Sequence, residues 1–198
     1  MKRENVKGAL INSAIDVIAT QGLDKATTKL IANVAKLNEV YIYRNFIDKE
    51  DLFVKVFEFL DDELVDAIAC SLPVMMKDQF TIEDRCKTLF ASVWKFLIGN
   101  ENKCRSYISY YYSPYYNKYS AIRHDEIYKD IVEICSSAFI DGTDVLTALN
   151  CVLDIMLALA VKVFNGKLVN NEETAKVAYD FVYSAVRSKL IWEVEKQQ

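Results

Sequence analysis

His124 is the one histidine of this chain and stands beside Asp125, a pairing that acid–base chemistry can use. No serine or cysteine nucleophile is linked to it by a motif, and the sequence lacks a Walker loop, a GxGxxG fingerprint and an HExxH pair. Catalysis has no foothold, so no catalytic residue is assigned and His124 is expected to be solvated on a charged helix. The five cysteines, Cys70, Cys86, Cys104, Cys135 and Cys151, lie far apart without a CxxC pair, which leaves no zinc set; neither a metal nor a cofactor is expected. Their odd number and the absence of an N-terminal apolar signal segment fit a reducing cytoplasm, with each Cys acting as a small core hydrophobe.

The remaining chemistry is hydrogen bonding, and it gathers in two places. In the first fifty residues Asn38, Glu39, Tyr41, Arg44 and Asn45 fall on one short helical segment. Asn can read adenine and Arg guanine through paired hydrogen bonds, each worth about 1–3 kcal/mol of discrimination; Glu39 could accept from a cytosine amino group but otherwise repels phosphate. Lys2, Arg3 and Lys7 suit either an arm reaching an adjacent groove or a solvated terminus. In the second place, CRSYISYYYSPYYNKYSAIRHDEIY, eight tyrosines crowd around Pro114. Rings with polar tips suit a flat or cationic organic ligand. Tyr107, Tyr111, Tyr115 and Tyr119 are the candidate lining residues, joined by Phe90, Trp94 and Phe96 from the preceding helix. Rings dispersed over core, surface and subunit contact are the alternative, because consecutive tyrosines cannot all face one cavity.

Helices must position these groups. Two prolines and five glycines are too few turn formers for a sheet protein, and the apolar spacing is helical throughout. Val6, Leu10, Ala14 and Ile18 mark a first helix that stops at Gly22. Thr27 and Thr28 open a short second helix, and Asn38 a third of about two turns with Val40, Ile42 and Tyr43 expected inward. Asp48 can cap a long amphipathic fourth helix that ends before Pro73. Further helices are expected over 81–99, 101–112, 114–140, 143–165 and 172–195. The last two are apolar over more than one face, as helices buried on two sides are.

The formal charge of −4 excludes a protein that coats nucleic acid indiscriminately. It is unevenly spread: residues 1–50 hold eight Lys and Arg against six Asp and Glu, so the excess acid lies in the remainder. Asp154 and Lys162 interrupt the most apolar stretch, VLDIMLALAVKVF, and membrane spanning is not expected.

From Ile11 to Leu52 the order and spacing of Ile18, Gly22, Thr27, Thr28, Ile31, Ala32, Ala35, Ile42, Tyr43, Phe46, Lys49, Glu50 and Leu52 resemble, without a gap, the N-terminal domain of the TetR family of transcriptional regulators. The resemblance implies an all-α fold, with a three-helix helix-turn-helix DNA-binding domain over 1–50 and a larger helical ligand-binding and dimerisation domain over 51–198. It implies phosphate contacts at Thr27, Thr28, Tyr43 and Lys49, a ligand pocket among the middle helices, and a homodimer through the last two helices. The function implied is a ligand-responsive repressor on a pseudo-palindromic double-stranded operator, released by a small organic ligand. Lys36 replaces the family's turn glycine, Val40 a commonly small residue, and Glu39 adds a carboxylate. These departures motivate the competing expectation of a helical ligand-binding or assembly protein whose head no longer grips DNA.

Overall fold

The computed structural model describes residues 3–77 and 79–191 and is helical, with no strand among them. Ten α-helices follow in order: α1 Arg3–Gln21, α2 Thr28–Val34, α3 Val40–Asn45, α4 Lys49–Ala69, α5 Leu72–Met75, α6 Ile82–Gly99, α7 Glu101–Tyr111, α8 Ala121–Ser136, α9 Val145–Phe164 and α10 Glu172–Val186. A π-helical turn, Tyr116–Ser120, leads into α8, and a 3₁₀ turn, Arg187–Lys189, follows α10.

The caps are those the sequence offers. Gly22 adopts φ 82° past the end of α1 and donates its amide to Ile18 O at 2.9 Å. Thr27 Oγ1 accepts from Leu30 N at 3.2 Å at the start of α2. Asp48 Oδ1 accepts from Asp51 N at 2.8 Å while Asp51 Oδ2 accepts from Ile47 N at 2.8 Å, fixing the start of α4. Asp144 and Asn171 cap α9 and α10 in the same way. Two boundaries differ from expectation. The helix predicted over 114–140 ends at Ser136, because Phe139 pairs with Leu190 in an isolated bridge. The helix predicted over 172–195 stops at Val186, and residues 192–195 lie outside the described residues.

Among the described residues the backbone forms two compact units, one drawn from Met1–Glu63 and Asn100–Asp125, the other from Leu64–Gly99 and Glu126–Gln198. In the first, α7 lies along α1, and α1 supports α2 and α3. Leu10, Ala14, Ile31, Ile42, Leu52, Phe53 and Phe57 form its buried centre. Each such aliphatic or aromatic side chain contributes about 1.5–3 kcal/mol by leaving water. In the second, α9 packs on α6 and α10, with Leu153, Met156, Leu157 and Ala160 turned inward.

α9 passes a length-and-composition test for a membrane span that the core helix of a soluble protein also passes. It is 20 residues long, its most apolar stretch reaches a mean hydropathy of 1.9, and so by length and composition it could cross a bilayer despite its two charges. Only 28 % of that stretch is buried within the chain. Cysteine burial is also mixed: Cys104 and Cys135 are core residues, whereas Cys70 and Cys151 are exposed, and all five thiols are free.

Candidate functional site

Two places in the fold bear on function, one in each unit. The first is the α2–α3 surface. Ala35 ends α2, and Lys36 then takes φ 55°, the one positive-φ residue other than glycine among those described. Leu37 N donates to Ala32 O at 2.9 Å and Lys36 N to Asn33 O at 3.0 Å. This is the Schellman pattern, and it satisfies the last carbonyls of α2 while setting the direction of α3. A lysine there is strained by roughly 1 kcal/mol relative to glycine. Asn38 Oδ1 accepts from Val40 N at 2.9 Å and so begins α3.

Within α3 the inward residue is Ile42, fully buried; Val40 and Tyr43, expected inward, are exposed. A helix of two turns has room for one anchor on its core side, and the adjoining Phe46 supplies the next. Thr27, Asn38, Tyr41 and Arg44 are exposed with Tyr43, while Thr28, Glu39, Asn45 and Lys49 are half-buried. Arg44 lies over the Tyr41 ring, 5.5 Å from its centroid, which limits the wandering of a long cation. Lys49 lies 5.2 Å from the Phe53 centroid, and Asn45 Nδ2 donates to Tyr41 O at 2.7 Å. Of the N-terminal basic residues, Lys7 lies 5.7 Å from the Phe46 ring centroid. Lys2 and the Arg3 side chain lie outside the described residues.

Glu39 has a partner that the sequence did not suggest. Its carboxylate accepts a hydrogen bond from the Thr28 hydroxyl, the group expected to meet a phosphate. This bond ties α3 to the start of α2.

The tyrosine segment is packed in the same unit rather than lining an open pocket. Tyr107 and Tyr110 are buried against Phe57, with centroid distances of 5.1 and 4.7 Å. Tyr111 stacks on Tyr107 at 5.5 Å, and Tyr115 on Tyr119 at 6.4 Å. Tyr119 donates to Glu50 at the beginning of α4, and Tyr110 Oη is 2.9 Å from Ser120 Oγ. At the centre is His124, fully buried rather than solvated, its Nδ1 3.0 Å from both carboxylate oxygens of the buried Asp61. Arg123, next in sequence, pairs with Asp62 and comes within 3.8 Å of Asp61. Sequence spacing pointed to Asp125 as the neighbour of His124; the true partner is 63 residues away.

The second place is an interior cavity of about 100 Å³ in the second unit, walled by α6, α8, α9 and α10 with Ile68 and Met75 at one side. Of the proposed ligand-binding residues only Phe90 reaches it; Trp94 is buried beside Phe90, 5.7 Å between centroids. Tyr107, Tyr111, Tyr115 and Tyr119 do not. Its tyrosines are Tyr128, the last of the eight in the tyrosine-rich segment, and Tyr179 and Tyr183 of α10, which sequence reasoning passed over because they stand apart from that cluster. Burial pushes the Cys86 and Cys135 thiols, both on its wall, up to about 11.

The family described as bacterial regulatory proteins, tetR family, matches the sequence over residues 10–56. No curated protein matches the chain at a significant level. Among solved structures, a TetR family transcription regulator from Marinobacter aquaeolei is similar at a TM-score of 0.78 and 14 % identity, over 92 % of this chain and 95 % of that one. A TetR family transcription regulator described as putative, from a Shewanella species, gives 0.76 and 17 %, over 94 % and 98 %. The fatty acid degradation regulator FadR from Bacillus halodurans gives 0.62 and 18 %, over 89 % and 93 %.

Proposed function

We propose that this chain, which has the TetR-family regulator fold with the family's helix-turn-helix domain at its N-terminus, is a homodimeric, ligand-responsive repressor acting in the cytoplasm on a pseudo-palindromic operator. The observation that carries the reading is α3: Ile42 anchors it, the Schellman turn aims it, and Asn38, Tyr41, Tyr43 and Arg44 are left exposed together. Tyr43 and Lys49, with Thr27, supply phosphate donors, while Asn38, Tyr41 and Arg44 are the base-reading set.

The second copy supports the exposed apolar surface of the last two helices. Val177 and Phe181 of α10 are 44 % and 60 % exposed, and much of α9 lies uncovered within one chain. Two-fold symmetry in the protein requires two-fold symmetry in the operator. Effector occupancy of the second unit lowers DNA affinity, and by linkage DNA lowers effector affinity by the same factor. α4 and α8 each belong to both units, which divide after Glu63 and after Asp125, and so are helices through which that coupling can run.

A gel shift on promoter DNA beside the gene tests the reading. Salt-sensitive retardation at a palindrome is expected, weakened by Tyr43→Phe and by Lys49→Glu. Absence of such binding at any nearby palindrome refutes it. The competing reading, a helical ligand-binding or assembly protein with a head that does not grip DNA, is favoured by the Thr28–Glu39 hydrogen bond; it requires that both substitutions leave transcription unchanged.

A further inference from the structure

The cavity of the second unit presents hydrocarbon and sulfur. Ile131, Leu153, Met156 and Val182 contribute aliphatic and thioether surface, and none of the described residues that line it carries a formal charge. A carboxylate or ammonium placed there would give up its water with no counter-charge on the wall, since Lys87, 5.9 Å from the Tyr179 ring centroid, is already paired with Glu83. The wall shows the same penalty acting on its own groups, because desolvation is the largest cause of the raised Cys86 and Cys135 values.

One polar atom stands out in this lining. Tyr179 Oη is buried and has no hydrogen-bond partner. Its ring is held edge-on to Phe90 at 5.5 Å and stacked on Tyr183 at 5.5 Å and 18°, so the hydroxyl cannot swing to another group without breaking both contacts. Buried hydroxyls are nearly always paired, and one left unpaired destabilises the fold. The cavity volume, about 100 Å³, is of the same order as the engineered apolar cavity of about 150 Å³ that binds benzene. A single ring or a short branched chain fits.

We infer, resting on the regulator reading, that the effector is a small uncharged organic molecule, mostly hydrocarbon, held in the second unit by one hydrogen bond to Tyr179. The cationic ligand suggested by the tyrosine-rich segment meets no opposite charge on this wall, and Tyr107, Tyr111, Tyr115 and Tyr119 pack in the other unit.

The test uses the full-length protein with p-cresol, toluene and benzoate as probes, read by calorimetry and thermal shift, on the wild type and on Tyr179→Phe. The wild type is expected to bind p-cresol, and the variant to bind it about five- to tenfold more weakly, the effect of one neutral hydrogen bond. Toluene binding should be the same in both proteins, and benzoate should not bind. Without a probe the variant should melt at or slightly above the wild-type temperature, having lost an unpaired hydroxyl. Benzoate binding as tightly as p-cresol, or p-cresol binding equally to both proteins, overturns the inference. If the variant does not fold, the wild type decides: p-cresol must outbind toluene at least fivefold, and equal affinities overturn it. The gel shift separates the two failures. DNA binding with no neutral probe bound refutes the cavity chemistry alone, whereas Tyr179-dependent probe binding without DNA binding refutes the regulator reading alone.

Discussion

Replacing His124 by Phe measures how much the first unit depends on a buried hydrogen-bonded pair. Asp61 and His124 are both fully buried, and His124 Nδ1 is 3.0 Å from each Asp61 oxygen. Removing one partner from such a pair typically destabilises by about 3–5 kcal/mol, because the other polar group stays buried without its hydrogen bonds. Two groups soften the loss: Tyr107 donates to Asp61 Oδ1 at 3.4 Å, and Arg123 Nη1 is 3.8 Å from Oδ2. The low end, about 3 kcal/mol, is therefore expected. Phe retains a ring among Phe57, Tyr111 and Tyr116, whose centroids lie 6.3, 5.7 and 5.6 Å from that of His124, so cavity formation adds little. For a chain of this length the loss corresponds to a fall in Tm of about 6–12 °C. The assay is urea unfolding followed by circular dichroism on His124→Phe, Asp61→Leu and the double variant. Replacing both partners leaves no stranded polar group, so the double variant should be more stable than either single one. A His124→Phe loss below about 1 kcal/mol, or a double variant that merely sums the two losses, would show that the pair is not what holds these helices together.

The turn and the surfaces give further expectations. Lys36→Gly should stabilise the head by about 1 kcal/mol by relieving the left-handed backbone, seen as a higher unfolding midpoint. Glu39→Ala should tighten DNA binding at low salt, because it frees Thr28 and removes a negative charge from the reading surface; an unchanged gel-shift midpoint would count against that role. Iodoacetamide at pH 8 should alkylate the exposed Cys70 and Cys151 first. Cys86 and Cys135, held up to about 11, and Cys104, held up to about 12, stay protonated below those values and should react only near them or on unfolding, as read by mass spectrometry. Phe181→Glu should shift the sedimenting species from dimer to monomer; a dimer that persists unchanged places the interface elsewhere.

Local signals carried the fold well. Gly22, Thr27, Asp48, Asp144 and Asn171 all act at helix ends, and each does so through chemistry confined to a few neighbouring residues. The helix-turn-helix was legible for the same reason. What lay beyond the sequence were partners brought together over long separations. Val40 and Tyr43 looked apolar enough to be core residues, but a helix six residues long can present only Ile42 inward. His124 carried the local signature of a solvated residue, and only the approach of α4 to the start of α8 gives it Asp61. The Thr28–Glu39 bond spans eleven residues across a turn whose direction depends on Lys36 adopting a left-handed backbone.

The tyrosines show why density of a residue type is a poor guide to a binding pocket. Around Pro114 the hydroxyls largely find protein partners: Tyr107 meets Asp61, Tyr110 meets Ser120 and Tyr119 meets Glu50. The rings of Tyr107 and Tyr110 are buried against Phe57 of α4. Tyr179 sits in an unremarkable stretch of α10, yet its hydroxyl is buried beside empty volume with no acceptor or donor to meet it. A ring already stacked on its neighbours gains nothing from a ligand, whereas an orphaned hydroxyl gains a hydrogen bond and the ligand gains an orientation. Unsatisfied polarity next to unfilled space, and not the number of aromatic rings, is what separates a pocket that can select a molecule from a core that only packs.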